Sequence, residues 1–397
     1  MKHITILVFI ISYISASVLL RKVHDKQLYA LEEPAIDPKA DYVQASINNT
    51  TSLSTIECIF DITSTGYRCN AIINNPTGTD ITSISGQHLP GRTDSDVQIV
   101  SILSQNTRNF PGIFCRQFGN VREISIIQSN LELVESSAFA DCRSIEQIII
   151  NENLVTSLPA NLFANSPRLY HVSFLFNQIS QIHANAFVGT AIEFLDFGNN
   201  LLTAVNPQWF VPISSTLRSL DFFNNFISQV PDGIFSTLAR LEFLMIGMNG
   251  VQLGNNPFLG LTSLRTLGLG RNGIRELNPS WFSPISQLQE LFLCGNALTQ
   301  LRPGDLDSLR NLITVRFNGN SLSTVSLDAL GPSIATIRNL QVQQNGLTSF
   351  DPRIIENTPN LQILMLQGNV CVDQDFLDVG NQRDLVREAL GVCHGNF

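Results

Sequence analysis

The sequence is poor in charge. Only 14% of its 397 residues are Asp, Glu, Lys or Arg, and 24 basic residues face 33 acidic ones, a formal net charge of -9. No basic run occurs, which argues against nucleic acid or an anionic membrane surface as a partner. Histidine is scarce too: six residues, at 3, 24, 88, 171, 183 and 394, fall without metal-ligand spacing. His-Glu-x-x-His, Gly-x-Ser-x-Gly and the phosphate-binding glycine loop are all absent. The sequence therefore offers no catalytic set, no metal site and no cofactor site, and an enzyme is not expected. Two Trp and five Tyr stand against 25 Phe, an imbalance that needs a structural cause. Beyond the first residues no long apolar run exists, so no membrane-spanning helix is expected.

That first apolar run, from Ile4 to Ile14, follows Lys2 and His3 and precedes the small residues Ser15, Ala16 and Ser17. It reads as a secretory signal peptide over residues 1–17, too short to span a bilayer comfortably. The terminal CHGNF has no hydrophobic tail of the kind a lipid anchor replaces. Secretion and an extracellular location follow as expectations. Residues 18–52 are polar and read as a flexible leader. Asn48 and Asn49 each begin an N-x-[ST] sequon, a candidate glycan site. Asn75 and Asn278 precede Pro and do not qualify.

From Val121 the chain repeats. First consensus positions fall at Val121, Ile145, Leu169, Ile192, Leu217, Leu241, Leu264, Leu288, Leu312, Ile337 and Leu361, 23 to 25 residues apart. The pattern is L-x-x-L-x-L-x-x-N-x-L, and a degenerate copy precedes it at Val97, Val100 and Ile102, with Gln105 in place of Asn. On these motifs the chain resembles the extracellular, typical-length leucine-rich repeat family over about residues 97–370. The framing stretches CIFDITSTGYRC and GNVCVDQDF are most like those of secreted insect members. The resemblance implies an α/β solenoid: a curved horseshoe with a parallel concave sheet, an irregular or 3-10 convex side, and capped ends. The layout is then a cap with the degenerate repeat over 53–120, about eleven repeats over 121–369, and a C-terminal cap over 370–397.

Within one repeat the parts can be assigned. Leu267 and Leu269 alternate with Gly268 and so point inward from a short strand. Asn272 sits where the chain leaves the sheet, where its amide can serve backbone groups of neighbouring coils that would otherwise be buried unpaired. The same Asn recurs at 153, 177, 200, 225, 249, 296, 320, 345 and 369, and Ser129 replaces it in the first full repeat. Phe recurs at the last consensus position (Phe139, Phe163, Phe187, Phe210, Phe235, Phe258, Phe282), which predicts an aromatic spine and explains part of the Phe excess.

A solenoid must cover its ends, and seven cysteines fall where that matters. In a secreted chain, disulfides are the expected state. Cys58 and Cys69 flank a turn-rich stretch and predict a pinned hairpin. Cys371 and Cys393 enclose a helix-like segment. Cys115 and Cys142 occupy neighbouring coils and are paired by that placement. Cys294 is left over, either a reduced half-buried thiol or an intermolecular disulfide giving a linked dimer.

The concave face carries what function there is. Its outward positions include Phe176, Phe194, Asp196, Asp221, Phe223, Phe243, Met245, Met248 and Phe292. Exposed aromatic and Met side chains in one patch mark a protein- or peptide-binding surface. Asp196 and Asp221 should sit about one strand spacing apart, roughly 5 Å, and could accept a Lys or Arg from the partner. Gly198, Gly247, Gly268 and Gly270 should flatten the face so that a ligand can approach the backbone. The bland alternative is that the chain's own N-terminal segment covers these Phe residues.

The reading that follows is a secreted, non-enzymatic recognition protein binding an extracellular protein or peptide on the concave face. The resemblance to insect members implies innate immunity or extracellular signalling. Because no coiled coil follows the cap, complement-like immune assembly is not expected. The alternative is a structural or adhesion component of extracellular matrix, which predicts self-association where recognition predicts a monomer or discrete dimer.

Overall fold

The computed structural model describes residues 54–74 and 81–393. The expected signal segment, the leader and both sequon residues, Asn48 and Asn49, lie outside the described residues. Sixteen strands form one sheet. It starts with β1 (Ser54–Ile62), β2 (Tyr67–Asn74) and β3 (Ile81–Ser85), and the repeats add β4 (Val97–Leu103), β5 (Glu123–Ile127) and β6 (Gln147–Ile149). From there one three-residue strand joins per coil, from His171–Ser173 to Ile363–Met365, each parallel to the last.

The coil begun by Leu264 shows how sequence makes this structure. Leu264, Leu267 and Leu269 are fully buried, Leu277 and Phe282 nearly or fully so. Parallel strands of a solenoid pair only with neighbouring coils, so the backbone beyond each short strand needs other partners. Asn272 supplies them. Its Nδ2 donates to Ile246 O (3.0 Å) and Leu269 O (3.1 Å). Its Oδ1 accepts from the N–H of Gly250 (2.9 Å) and Asn249 (3.0 Å). Asn296 does the same for Asn272 one coil on. In the first full repeat the Ser129 hydroxyl donates to Ile127 O (2.9 Å), while Asn153 serves the N–H groups of Ser129 and Leu131.

All seven spine Phe residues are fully buried. Ring centroids run 4.5 Å from Phe110 to Phe139, 5.2 Å to Phe163 and 6.3 Å to Phe187, and Phe210 meets Phe235 at 6.0 Å. A second aromatic row, absent from the sequence reading, lies behind the strands: Phe174, Phe197 and Phe222 stack at 6.0 and 6.4 Å. Two coils carry a Pro-x-Trp-Phe stretch as a 3-10 turn, capped by Asn206 and Asn278. Each Trp donates its indole N–H to the carbonyl of a preceding coil, Trp209 to Ile182 O (2.9 Å) and Trp281 to Gly254 O (2.8 Å).

The ends are closed differently. At the start, β1 and β2 form an antiparallel hairpin held by Cys58–Cys69, and β2 pairs in parallel with β4. Cys115–Cys142 joins the two coils that follow. At the far end, Asp375–Phe376 pairs antiparallel with Ile363–Met365, and Asp375 accepts from the N–H of Leu366 (2.8 Å) and Gln367 (2.9 Å). Two donors of the last coil's open edge are thereby satisfied. A helix, Val379–Leu390, follows, and Cys371–Cys393 encloses it. Arg383 from that helix donates to the carbonyls of Ile355 (2.5 Å), Thr358 (2.9 Å) and Pro359 (3.1 Å). Among the described residues no helix is long and apolar enough to cross a membrane.

Candidate ligand-binding surface on the sheet

The outward face of the sheet is a grid. Strand register fixes which side chains are neighbours. One row runs Glu123, Gln147, His171, Phe194, Ser219, Phe243, Thr266 and Glu290. The next runs Ser173, Asp196, Asp221, Met245, Gly268, Phe292 and Arg316. The third lies where each chain leaves its strand and carries Leu175, Gly198, Phe223, Gly247, Gly270 and Cys294.

The grid alternates large with small. A Cβ placed on Gly198 would meet Leu175 Cδ2 at 3.1 Å, on Gly247 the Phe223 ring at 3.1 Å, and on Gly268 it would run into the Met245 sulfur. On Gly270 it would meet Cys294 Sγ at 2.8 Å. Each glycine therefore receives a neighbouring coil's side chain lying flat across it. This corrects the expectation that these glycines leave backbone open to a ligand: the space is filled from within, and the surface is an apolar carpet. Cys294 is part of it, an unpaired and half-buried thiol.

The expected site residues divide into three groups. Phe176 (43% exposed) and Met248 (37%) stand free at the edge, both at left-handed backbone positions where the chain turns off the sheet. Phe194, Phe223, Phe243, Met245 and Phe292 are half-buried, offering one face outward. Phe292 is capped by the Arg316 guanidinium, 4.6 Å from its ring centroid. The acids behave otherwise. Asp196 and Asp221 are register partners, but Asp221 is only 3% exposed and accepts from the Phe223 N–H (2.7 Å). Asp196 faces His171 Nε2 at 3.1 Å. The expected pair of free acceptors is corrected: Asp221 is buried and serves the backbone, and Asp196 is engaged by His171, an outward residue of the adjacent strand.

The start of the first row is polar. The His171 ring lies between Asp196 and Gln147 (3.4 Å) and packs edge-on against Phe194 at 5.9 Å. Burial pushes the Glu123 carboxyl above its ordinary range, against the opposing pull of His171 and Arg68. The face thus passes from a polar, titratable end to an apolar centre. It carries no cluster of three metal-ligating side chains among the described residues.

Comparison with known proteins agrees with this architecture. The leucine rich repeat model matches residues 262–322, and the BspA type leucine rich repeat region model residues 112–211. Keratocan of Mus musculus is 28% identical over 222 residues, which cover 54% of this chain and 61% of keratocan. The chain spans about six tenths of that relative's length. The APL1 leucine-rich repeat domain superposes with a TM-score of 0.59 at 20% identity, covering 79% of this chain and 77% of that one. The receptor in the TLR13–ssRNA13 complex superposes at 0.60 and 16%, covering 74% and 48%. At these identities the solved structures speak for the fold alone.

Proposed function

We propose that this leucine-rich repeat protein is a secreted, non-enzymatic recognition protein that binds an extracellular protein or peptide on the outward face of its sheet. One observation carries the reading: the half-buried and exposed Phe176, Phe194, Phe223, Phe243, Met245 and Met248 crowd adjacent coils on the outward face of the sheet. A contiguous patch of aromatic and Met side chains is the composition of a binding core. The flat packing over glycines supports it further, because pre-ordered side chains lose little entropy on contact. The signal segment and paired cysteines support secretion. A role in immunity or signalling belongs to this proposal through the likeness to insect members. Asp221, buried beneath this face, is not part of the binding set.

The test is affinity capture from extracellular fluid with the mature chain as bait and Phe243→Glu beside it. The variant should keep its fold, losing less than about 1 kcal/mol as a surface change, and should lose a discrete partner. Retained capture, or a large drop in Tm, would remove Phe243 from the binding face. Run without reductant, the same experiment reads Cys294: self-capture that dissolves on reduction would favour a matrix or linked-dimer role.

A further inference from the structure

We infer that the chain carries a second binding site, for an anionic sugar unit, beside the N-terminal hairpin. A cavity of about 420 Å³ opens there on the side where successive coils enter their strands. That is within the ~300–1,000 Å³ of small-molecule pockets. Its wall draws on the hairpin loop (Ile62, Gly66), on the 3-10 turn before β4, and on the strand entries of the first three full repeats. Three guanidinium groups line it: Arg92, Arg122 and Arg168. In a chain with a net charge of -9 this is a local excess of positive charge.

The lining holds a single carboxylate, Asp96, and it is already occupied. Asp96 accepts from the Thr93 N–H (2.9 Å), and Arg92 reaches it at 3.3 Å. Arg92 also lies over the Tyr67 ring, 5.5 Å from its centroid. The other two are free to turn to a ligand. Arg122 is only loosely paired, 4.0 Å from Glu146, with its side chain 55% exposed. Arg168 is exposed and makes no ion pair among the described residues. Planar guanidiniums bind oxyanions in bidentate fashion. Asn120, Gln98, Ser95 and Ser144 complete a polar wall, with Ile62 the exposed apolar contact. Such a lining suits a hydroxyl-bearing ring that carries a sulfate or carboxylate. It gives an acidic peptide no apolar anchor pocket.

The measurement is calorimetric titration of the full chain with a sulfated disaccharide, a uronic-acid disaccharide without sulfate, inorganic sulfate, and an acidic peptide. One-to-one binding of a disaccharide, weakening as salt rises and falling at least tenfold in Arg122→Gln and in Arg168→Gln, is the expected result. Comparison of the two sugars tells which oxyanion the site reads. Both side chains are exposed, so the variants should melt like the parent, and thermal melting checks it. Phe243→Glu should bind the sugar normally, so failure here and failure of the sheet surface are separable. Preference for the acidic peptide, binding of inorganic sulfate alone, or sugar binding indifferent to both arginine changes would each overturn the inference.

Discussion

At the scale of single residues, the asparagine ladder does what hydrophobic burial cannot. A coil can hide its leucines only if the backbone that turns behind them is also satisfied, because an unpaired buried group costs about 1–3 kcal/mol. Asn272 is 7% exposed and serves five backbone groups. Asn272→Ala should therefore destabilise the array by about 1–3 kcal/mol. Asn320 makes the same kind of bonds, donating to Leu293 O and Phe317 O, but is less enclosed. Water can replace part of its role, so Asn320→Ala should cost measurably less. Denaturant titration of the two variants decides it: equal losses would mean that water does not stand in for the amide at Asn320. These positions were legible in the sequence because an amide with both donor and acceptor is the residue type such a turn needs, at a fixed interval after the last strand leucine.

At the scale of elements, the repeat period predicted one short strand per coil and its inward residues, and Leu267, Leu291 and their counterparts are buried accordingly. What lies on the outer side was much less legible. Whether an outward residue is free depends on how far one coil is offset from the next, and a repeat pattern does not carry that offset. Hence Asp221 reads as exposed in sequence and is buried in the grid, and glycines that looked like open backbone are beds for Leu175, Phe223 and Met245. The indole bonds of Trp209 and Trp281 were missed for the same reason, since each reaches back across a coil boundary. The grid makes its own prediction. A methyl on Gly247 would lie 2.9 Å from Gly270 O and 3.1 Å from the Phe223 ring. Because backbone cannot yield as a flexible side chain does, Gly247→Ala should cost about 1–3 kcal/mol, the usual range of overpacking. It should also weaken partner capture by lifting Phe223 from the surface. Gly268→Ala meets only the mobile end of Met245 and should leave stability nearly intact. If Gly247→Ala melts like the parent and captures normally, the flat packing is not what orders the face.

At the scale of the whole array, each coil touches only its neighbours, so stability is a chain of local terms and the ends are where opening starts. The C-terminal end is closed by several ties that all pass through one short segment. The Cys393 carbonyl accepts from the Phe350 N–H (3.3 Å), Cys393 is bonded to Cys371, and Arg383 clamps the carbonyls of the last coil but one. Replacing Cys371 and Cys393 by Ser should therefore release the helix at 379–390, with a local loss of about 2–4 kcal/mol expected of a disulfide. Opening should decay inward from that end, since nothing couples it directly to distant coils. Hydrogen exchange followed along the sequence provides the readout. Protection should fall over roughly the last two coils and the cap, and stay unchanged from Val121 through the centre of the candidate face near Phe243. Partner capture should survive with it. A uniform rise in exchange across all coils would instead show that the array opens as one cooperative unit, and the C-terminal closure would then have to be counted among the determinants of the binding face.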